Sequence, residues 1–230
     1  LNRIAETITK EYDKILKQIA ITAMTGKGAE GSKDLLAELC VKAVKQIQDD
    51  DGNIDLENVK IEKKQGSGID DSELVQGILI DKEKVHSGMP RIVKNAKIAL
   101  LDCALEVKSP ETDTKIQISS PDQLQGFLDQ EEKILKNMAD KVIKSKANVV
   151  ICQKGIDDVA QHYLARAKIY CVRRVKKSDM DKLVRATNAR VISNLNDLSE
   201  EDLGNAGVVE EVKVGDEMMT FVRECKNPKS

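Results

Sequence analysis

The sequence after Ala147 alternates between short apolar runs and amphipathic segments, and this alternation restricts the fold more than any other feature. The order is strand, helix, strand, helix, strand: NVVICQ, IDDVAQHYLARA, IYCVRRV, DMDKLVRAT and ARVISN. The connections between these segments are short. Strands that alternate with helices in this way lie parallel and are joined by right-handed crossovers. The pattern therefore predicts an α/β fold.

The segments on either side of this run indicate a second region of different character. Upstream, NVKIEKKQG, LVQGILIDKEKV and AKIALLDCALEV have strand-like composition, and downstream VVEEVKVGDEMMTFVREC predicts a β-hairpin that turns at Gly215 and Asp216. Near the amino terminus, apolar residues recur at helical spacing over residues 11–24 and about 32–48. We therefore expect a small helical region followed by an α/β region.

One long amphipathic helix is predicted between two of the strands. Ser120 is a good N-cap, Pro121 suits the first helical position, and Gln123 completes a capping box. At ~1.5 Å per residue, about 24 residues span ~36 Å. That length approaches the diameter of a compact domain. The helix therefore either crosses its domain with its apolar residues in the core, or projects and contacts something else.

The composition excludes several classes of function. Lysine and arginine number 37 and aspartate and glutamate 39, whereas nucleic-acid binding requires a basic excess. No run of apolar residues is long enough to span a membrane. The five cysteines are widely spaced and include no C-x-x-C pair, which favours core cysteines in a reducing, cytoplasmic compartment. Neither histidine lies at ligand spacing from two cysteines, so no metal site is predicted.

The loop TGKGAE contains the only candidate for phosphate recognition. It is not a P-loop, because Ile21 and Gly28 stand where that motif requires glycine and Ser or Thr. Lys27 could still present one ammonium group to a phosphate. No nucleophile–base arrangement is recognisable, so no catalytic residue is predicted.

Long runs of the sequence resemble the group II chaperonins, and among them the archaeal thermosome subunits. They follow the family's order and cover nearly all of residues 11–229: TGKGAE, IEKKQGSGIDDSELVQGILIDKEKVHSGMP, KIALLDCALEVKSPETDTKIQISSPDQLQGFLDQEEKILKNMADKV, NVVICQKGIDDVAQHYLARAKIYCVRRVKKSDMDKLVRAT and CKNPK. The resemblance implies a fragment with three parts. Residues 1–62 correspond to a partial, helical intermediate domain. Residues 63–222 correspond to an apical β/α/β domain with a helical protrusion at about 108–146, and 223–230 return to the intermediate domain.

The resemblance also implies a function, the client-binding and built-in-lid portion of an ATP-dependent chaperonin that assists protein folding. The implied partners are non-native proteins and neighbouring subunits of a ring, with no nucleic acid and no membrane. The implied client and lid residues are Leu105, Val107, Ile116, Ile118, Leu124, Phe127, Leu128, Ile134, Leu135, Met138, Met180, Leu183 and Val184. For the helix SDMDKLVRATNA, which Ser178 should cap, packing against the sheet is an equally open interpretation.

The resemblance implies that ATP is bound and hydrolysed by parts of the intact subunit that these residues do not include. Lys27 matches a lysine that senses nucleotide in the intact subunit, but the ATP-binding equatorial domain, with its Gly-Asp-Gly-Thr motif, has no counterpart in these residues. The aspartate that serves hydrolysis is also absent. We therefore expect no enzyme activity and no cofactor in this chain, and Mg-ATP in the intact chaperonin. Two alternatives remain: an assembly domain that mediates subunit contacts without clients, and a small nucleotide-dependent enzyme built on Lys27, Asp70 and Asp71.

Overall fold

A computed structural model of the protein describes residues 12–48, 52–65, 68–107, 121–225 and 227. The chain divides into two compact units. Unit 1 runs to Val75, and unit 2 begins at Gln76 and contains nearly all the remaining residues. The domain boundary expected after residue 62 therefore falls inside unit 1.

Unit 1 is built on the two helices that apolar periodicity predicted. Helix α1 spans Tyr12–Met24 and α2 spans Lys33–Ile47. They pack on each other, but only Ala37 and Ile47 of these two helices are buried, and salt bridges such as Lys17–Glu38 link the helices. The strand-like run NVKIEKKQG forms no strand in its described residues, 58–65. A strand requires a neighbour to complete its hydrogen-bond ladder.

Unit 2 is a seven-stranded mixed sheet with helices on both faces. Its strands are β1 Gly77–Ile80, β2 Ile92–Leu101, β3 Val149–Cys152, β4 Tyr170–Val172, β5 Val191–Ile192, β6 Gly204–Val214 and β7 Glu217–Cys225. Its helices are α3 Pro121–Lys144, α4 Asp158–Arg166 and α5 Lys177–Thr187. The strand order is β1-β7-β6-β2-β3-β4, with β5 paired to β2. The predicted α/β fold is confirmed, although β7 continues past the expected domain end at residue 222.

The parallel run differs from the prediction in the position of its last strand. β2, β3 and β4 are parallel neighbours, but β5 lies beside β2 at Leu100 and Leu101. The antiparallel pairing of β6 with β2 ends at Ile98 opposite Gly204. Beyond Ile98, β2 therefore has no β6 partner on that edge, and β5 pairs with Leu100 and Leu101 there instead.

Two hydrophobic clusters lie on opposite faces of the sheet. Because side chains alternate along a strand, Ile98 and Leu100 of β2 enter one cluster and Ala99 and Leu101 enter the other. Helix α5 covers the first cluster, whereas α3 and α4 cover the second. The sheet is thus buried on both faces around β2.

Helix α5 packs against the sheet. Met180 and Leu183 are almost completely buried, and Val184 is half-buried against the same cluster. Ser178 does not cap the helix, because α5 begins one residue earlier and the N-cap position, Lys176, makes no side-chain cap bond. The sheet-packing interpretation is therefore correct for Met180 and Leu183.

Helix α3 changes environment along its length. In its first half, taken as the residues up to Ile134, the exposed fractions are 48% for Leu124, 40% for Phe127, 51% for Leu128 and 41% for Ile134. From Leu135 onward one side of the helix joins the core: Leu135 is 4% exposed, and Ala139 and Val142 are fully buried, whereas Ile143 is 38% exposed. The core interpretation is therefore correct for the residues from Leu135 onward, whereas the earlier apolar residues are exposed to solvent and a contact with a partner stays a prediction. Every helix in the described part of the chain is too short or too polar to cross a lipid bilayer.

Most of the cysteines pack as core residues. Cys152 and Cys171 are buried, Cys103 and Cys225 are half-buried, and Cys40 is exposed. Burial raises the pKa of the Cys152 thiol to about 12 and that of Cys225 to about 11. These two thiols therefore stay protonated at neutral pH and are poor nucleophiles.

A buried ion pair fixes the segment between β1 and β2 to the sheet. The Lys84 ammonium lies 2.7 Å from the Glu211 carboxylate on β6, and the two side chains are only 9% and 5% exposed. The Lys84 backbone N–H also donates to Glu211, at 3.2 Å. Removing one partner would leave a buried charge without its counter-ion.

Truncating a leucine should affect stability much more in the second half of α3 than in the first half. Leu135→Ala should lower the free energy of unfolding by about 2–5 kcal/mol, because it opens a cavity in the core. Leu124→Ala, on the exposed half, should change it by no more than about 0.5 kcal/mol. Urea denaturation followed by circular dichroism measures both, and equal losses would contradict the division of the helix.

Because the Lys84–Glu211 pair is buried, we expect a second substitution, at Glu211, to restore stability that is lost when Lys84 is replaced. Lys84→Met alone should cost about 3–5 kcal/mol, because Glu211 is left buried without its partner. The double variant Lys84→Met/Glu211→Leu should recover most of that loss. Urea denaturation of the two variants checks this, and a neutral Lys84→Met would show that solvent reaches the pair.

Candidate functional site: an exposed apolar face on helix α3

The exposed apolar residues of α3 form one side of the helix. Residues three or four apart share a helix face, so Leu124, Phe127 and Leu128 lie on the same stripe as the buried Leu135 and Val142. We call the exposed set Leu124, Phe127, Leu128 and Ile134 the α3 apolar face. The stripe is continuous, but the rest of the unit covers only its second half.

The position of α4 determines where along α3 the apolar stripe becomes buried. Asp157, the N-cap of α4, accepts a hydrogen bond from the backbone N–H of Val159 at 2.9 Å. This first turn lies beside Leu128 and Leu135. Because α4 begins there, the residues of α3 before Leu128 extend past it.

A groove of about 630 Å³ separates α3 from the beginning of α4, and we call it the α3–α4 groove. Its apolar lining comes from Leu128 and Leu135 on α3 and from Val159 on α4. Val159 is itself 38% exposed. The groove therefore continues the α3 apolar face through Leu128, which belongs to both.

Polar contacts hold the two helices together beside the groove. The Tyr163 hydroxyl of α4 donates to the Glu132 carboxylate of α3 at 2.7 Å, and this bond, with a smaller effect of burial, raises the pKa of the Tyr163 phenol. The Lys136 ammonium lies 5.9 Å from the centre of the Tyr163 ring, within the range of a cation–π interaction.

Four of the residues expected to contact clients lie in the core. They are Leu105, Leu135, Met180 and Leu183. Leu105 is held there by its backbone, which donates to Gly155 and accepts from Asp157. Buried side chains cannot form a contact surface without local unfolding, so the structure corrects the expectation for these four.

The remaining predicted residues fall into three groups. Val107, Met138 and Val184 are half-buried against the two clusters. Leu124, Phe127, Leu128 and Ile134 are exposed. Ile116 and Ile118, with the TKIQIS segment and the Ser120 cap, lie outside the described residues.

The candidate nucleotide-sensing residue lies in unit 1. Lys27 is exposed in the turn after α1, where Gly26 adopts a positive φ of 75° and donates its N–H to Glu30 at 3.3 Å. Asp70 accepts a hydrogen bond from Ser32 at 3.1 Å. The described residues contain no cluster of three or more histidine, cysteine or acidic side chains that could hold a metal ion.

The sequence did not reveal the α4 side of the groove. The run IDDVAQHYLARA predicted only a helix, yet Asp157, Asp158 and Val159 at its start all line the groove. The sequence does show an apolar residue, Val159, directly after two aspartates at a helix start. That pattern predicts a groove only if α3 is known to lie beside it, and the local sequence does not give the position of α3.

Comparison with known proteins gives consistent results. The family model described as the TCP-1/cpn60 chaperonin family matches residues 1–230. A thermosome subunit of Methanopyrus kandleri and a thermosome subunit beta of Archaeoglobus fulgidus are each 59% identical to the whole chain. The chain spans 43% of the length of each.

A solved structure extends this similarity to three dimensions. The open-state monomer of a group II chaperonin from Methanococcoides burtonii superposes with a TM-score of 0.80 at 45% identity. The match covers all of this chain and 52% of that one. The resemblance found in the sequence is confirmed, and the chain belongs to the TCP-1/cpn60 chaperonin family, on its group II branch.

Proposed function

We propose that this chain is the client-binding and lid-forming part of an ATP-dependent group II chaperonin, and that it binds non-native proteins through the α3 apolar face. The observation that carries the proposal is the exposure of Leu124, Phe127, Leu128 and Ile134 on one side of a helix whose second half is anchored in the core. Such a surface would be unfavourable in water unless something covered it for part of the protein's working cycle.

The chemistry of this face suits a client without a fixed structure. Hydrophobic contact is non-directional and scales with the apolar area removed from water, at about 25 cal/mol per Å². A partner need only present apolar side chains at suitable spacing, and a misfolded chain does so. Four half-exposed side chains provide affinity too weak for permanent capture by one subunit, and several subunits in a ring would reinforce it.

The same geometry suits a lid. The first half of α3 extends past the beginning of α4, so a neighbouring subunit could cover its apolar residues when the ring closes. In this proposal Mg-ATP binds to the part of the subunit that lies outside this chain. Lys27 responds to the bound nucleotide in the intact subunit, and the chain alone neither binds nor hydrolyses ATP.

Substitutions on the exposed half of α3 test client binding. Phe127→Gln/Leu128→Gln should abolish most of the suppression of aggregation of a thermally unfolding client protein, measured by light scattering without nucleotide. The melting temperature should remain within a few degrees of the original, because both side chains are solvent-exposed. The matched control is Ile61→Gln/Ile92→Gln, which removes two exposed apolar residues that do not lie on α3 and should leave suppression unchanged.

Two outcomes would overturn client binding by this face. In the first, the α3 variant and the control suppress aggregation equally well. In the second, the unmodified chain suppresses nothing but forms a concentration-dependent dimer in sedimentation velocity, which Phe127→Gln/Leu128→Gln abolishes. That second result would favour an assembly domain whose apolar face contacts other subunits only.

Nucleotide binding is tested separately. Calorimetric titration of the 230-residue chain with Mg-ATP should give no binding heat, because a single exposed lysine cannot fix a triphosphate. Binding in the micromolar range would contradict the proposal that ATP binds outside this chain and would favour the alternative of a nucleotide-dependent enzyme built on Lys27.

A further inference from the structure

We infer that the α3–α4 groove selects, among non-native segments, those whose apolar residues are flanked by lysine or arginine. This inference rests on the proposed client-binding function and adds the class of segment that the site prefers. It comes from the charge of the groove, which neither the helix periodicity nor the overall charge of the chain revealed.

The polar part of the groove lining is acidic. Four carboxylates line it: Glu131 and Glu132 from α3, and Asp157 and Asp158 from the beginning of α4. None of the described residues lining the groove is a lysine or an arginine. The whole chain is nearly balanced, with a net charge of −2, so this concentration of negative charge is local.

The hydrogen bonds of these carboxylates come from neutral groups and supply no counter-charge. Glu132 accepts from the Tyr163 hydroxyl, Asp157 from the Val159 backbone N–H, and Asp158 from the Gln161 amide at 3.0 Å. All three donors are neutral. Within the described part of the chain none of the four carboxylates forms a salt bridge, and the nearby Lys136 lies over the Tyr163 ring.

The groove and the α3 apolar face form one continuous surface through Leu128. A segment that covers Phe127 and Leu128 and extends toward Val159 must pass the carboxylates of Glu131 and Asp158. A purely apolar segment would remove these charges from water without a partner, which is unfavourable. An acidic segment would add like-charge repulsion, whereas flanking lysines or arginines would supply counter-charges.

Two matched peptides test this preference. Each is a fluorescent 13-residue probe with the same leucine and phenylalanine positions, flanked on both sides by two lysines in one probe and two glutamates in the other. By fluorescence anisotropy at low salt, the lysine-flanked probe should bind about tenfold more tightly than the glutamate-flanked one. Solvated charge pairs are individually weak and screened, so the difference should shrink to about twofold at ~0.5 M salt.

Charge-neutralising variants connect the preference to the groove. Glu131→Gln/Asp158→Asn should reduce the tenfold preference to about threefold or less, while Asp157 is kept because it caps α4. The control Glu201→Gln/Asp216→Asn removes two exposed carboxylates that do not line the groove and should retain the full preference. Thermal melts of both variants verify that the fold is intact.

The results separate this inference from the function on which it rests. If both probes bind equally, or if the two double variants behave alike, the charge selection is wrong and client binding by the α3 apolar face still stands. If neither probe binds and Phe127→Gln/Leu128→Gln leaves aggregation suppression unchanged, the proposed function fails and the inference fails with it.

Discussion

The packing of the second half of α3 against the sheet is the interaction on which the rest of unit 2 depends. Leu135, Ala139 and Val142 lie in the same cluster as Ala99 and Leu101 of β2. These contacts fix the direction of the helix. Because a helix is a stiff element, the same contacts hold the first half in place without core packing of its own. The exposed face is thus a consequence of how firmly the buried half is held.

The sheet supports this arrangement by burying β2 on both faces and pairing it along both edges. β3 lies along one edge, and β6 followed by β5 along the other. Helix α5 closes the opposite face with Met180 and Leu183. An element that carries a projecting helix needs a rigid base, and a sheet enclosed in this way provides one. The buried Lys84–Glu211 pair adds a further connection from the loop before β2 to β6.

The elements that the sequence predicts are those whose physical signal is local. The spacing of apolar residues predicted α1, α2 and α3, and the hairpin at Gly215 and Asp216 was expected from its turn residues. The pairing of β5 with β2 was not predicted. It depends on where the pairing of β6 with β2 ends, and no local sequence pattern indicates that position.

The candidate site shows the same limit. Periodicity placed Leu124, Phe127 and Leu135 on one stripe, but it does not reveal which part of a stripe finds a partner within the chain. It likewise left the burial of Met180 and Leu183 open, since a helix that covers a sheet and a helix that binds a client have the same pattern. The α3–α4 groove arises from two helices distant in sequence, so only the folded structure brings its carboxylates together.

The divided burial of α3 also has a mechanical consequence. A stiff rod clamped along its rear half acts as a lever, and its free arm of about 12 residues extends ~18 Å. A load applied at the tip is therefore delivered as torque on the clamped half, at Leu135, Ala139 and Val142, and from there to the central strand. Whatever pulls on the outer end of this helix acts on the centre of the sheet.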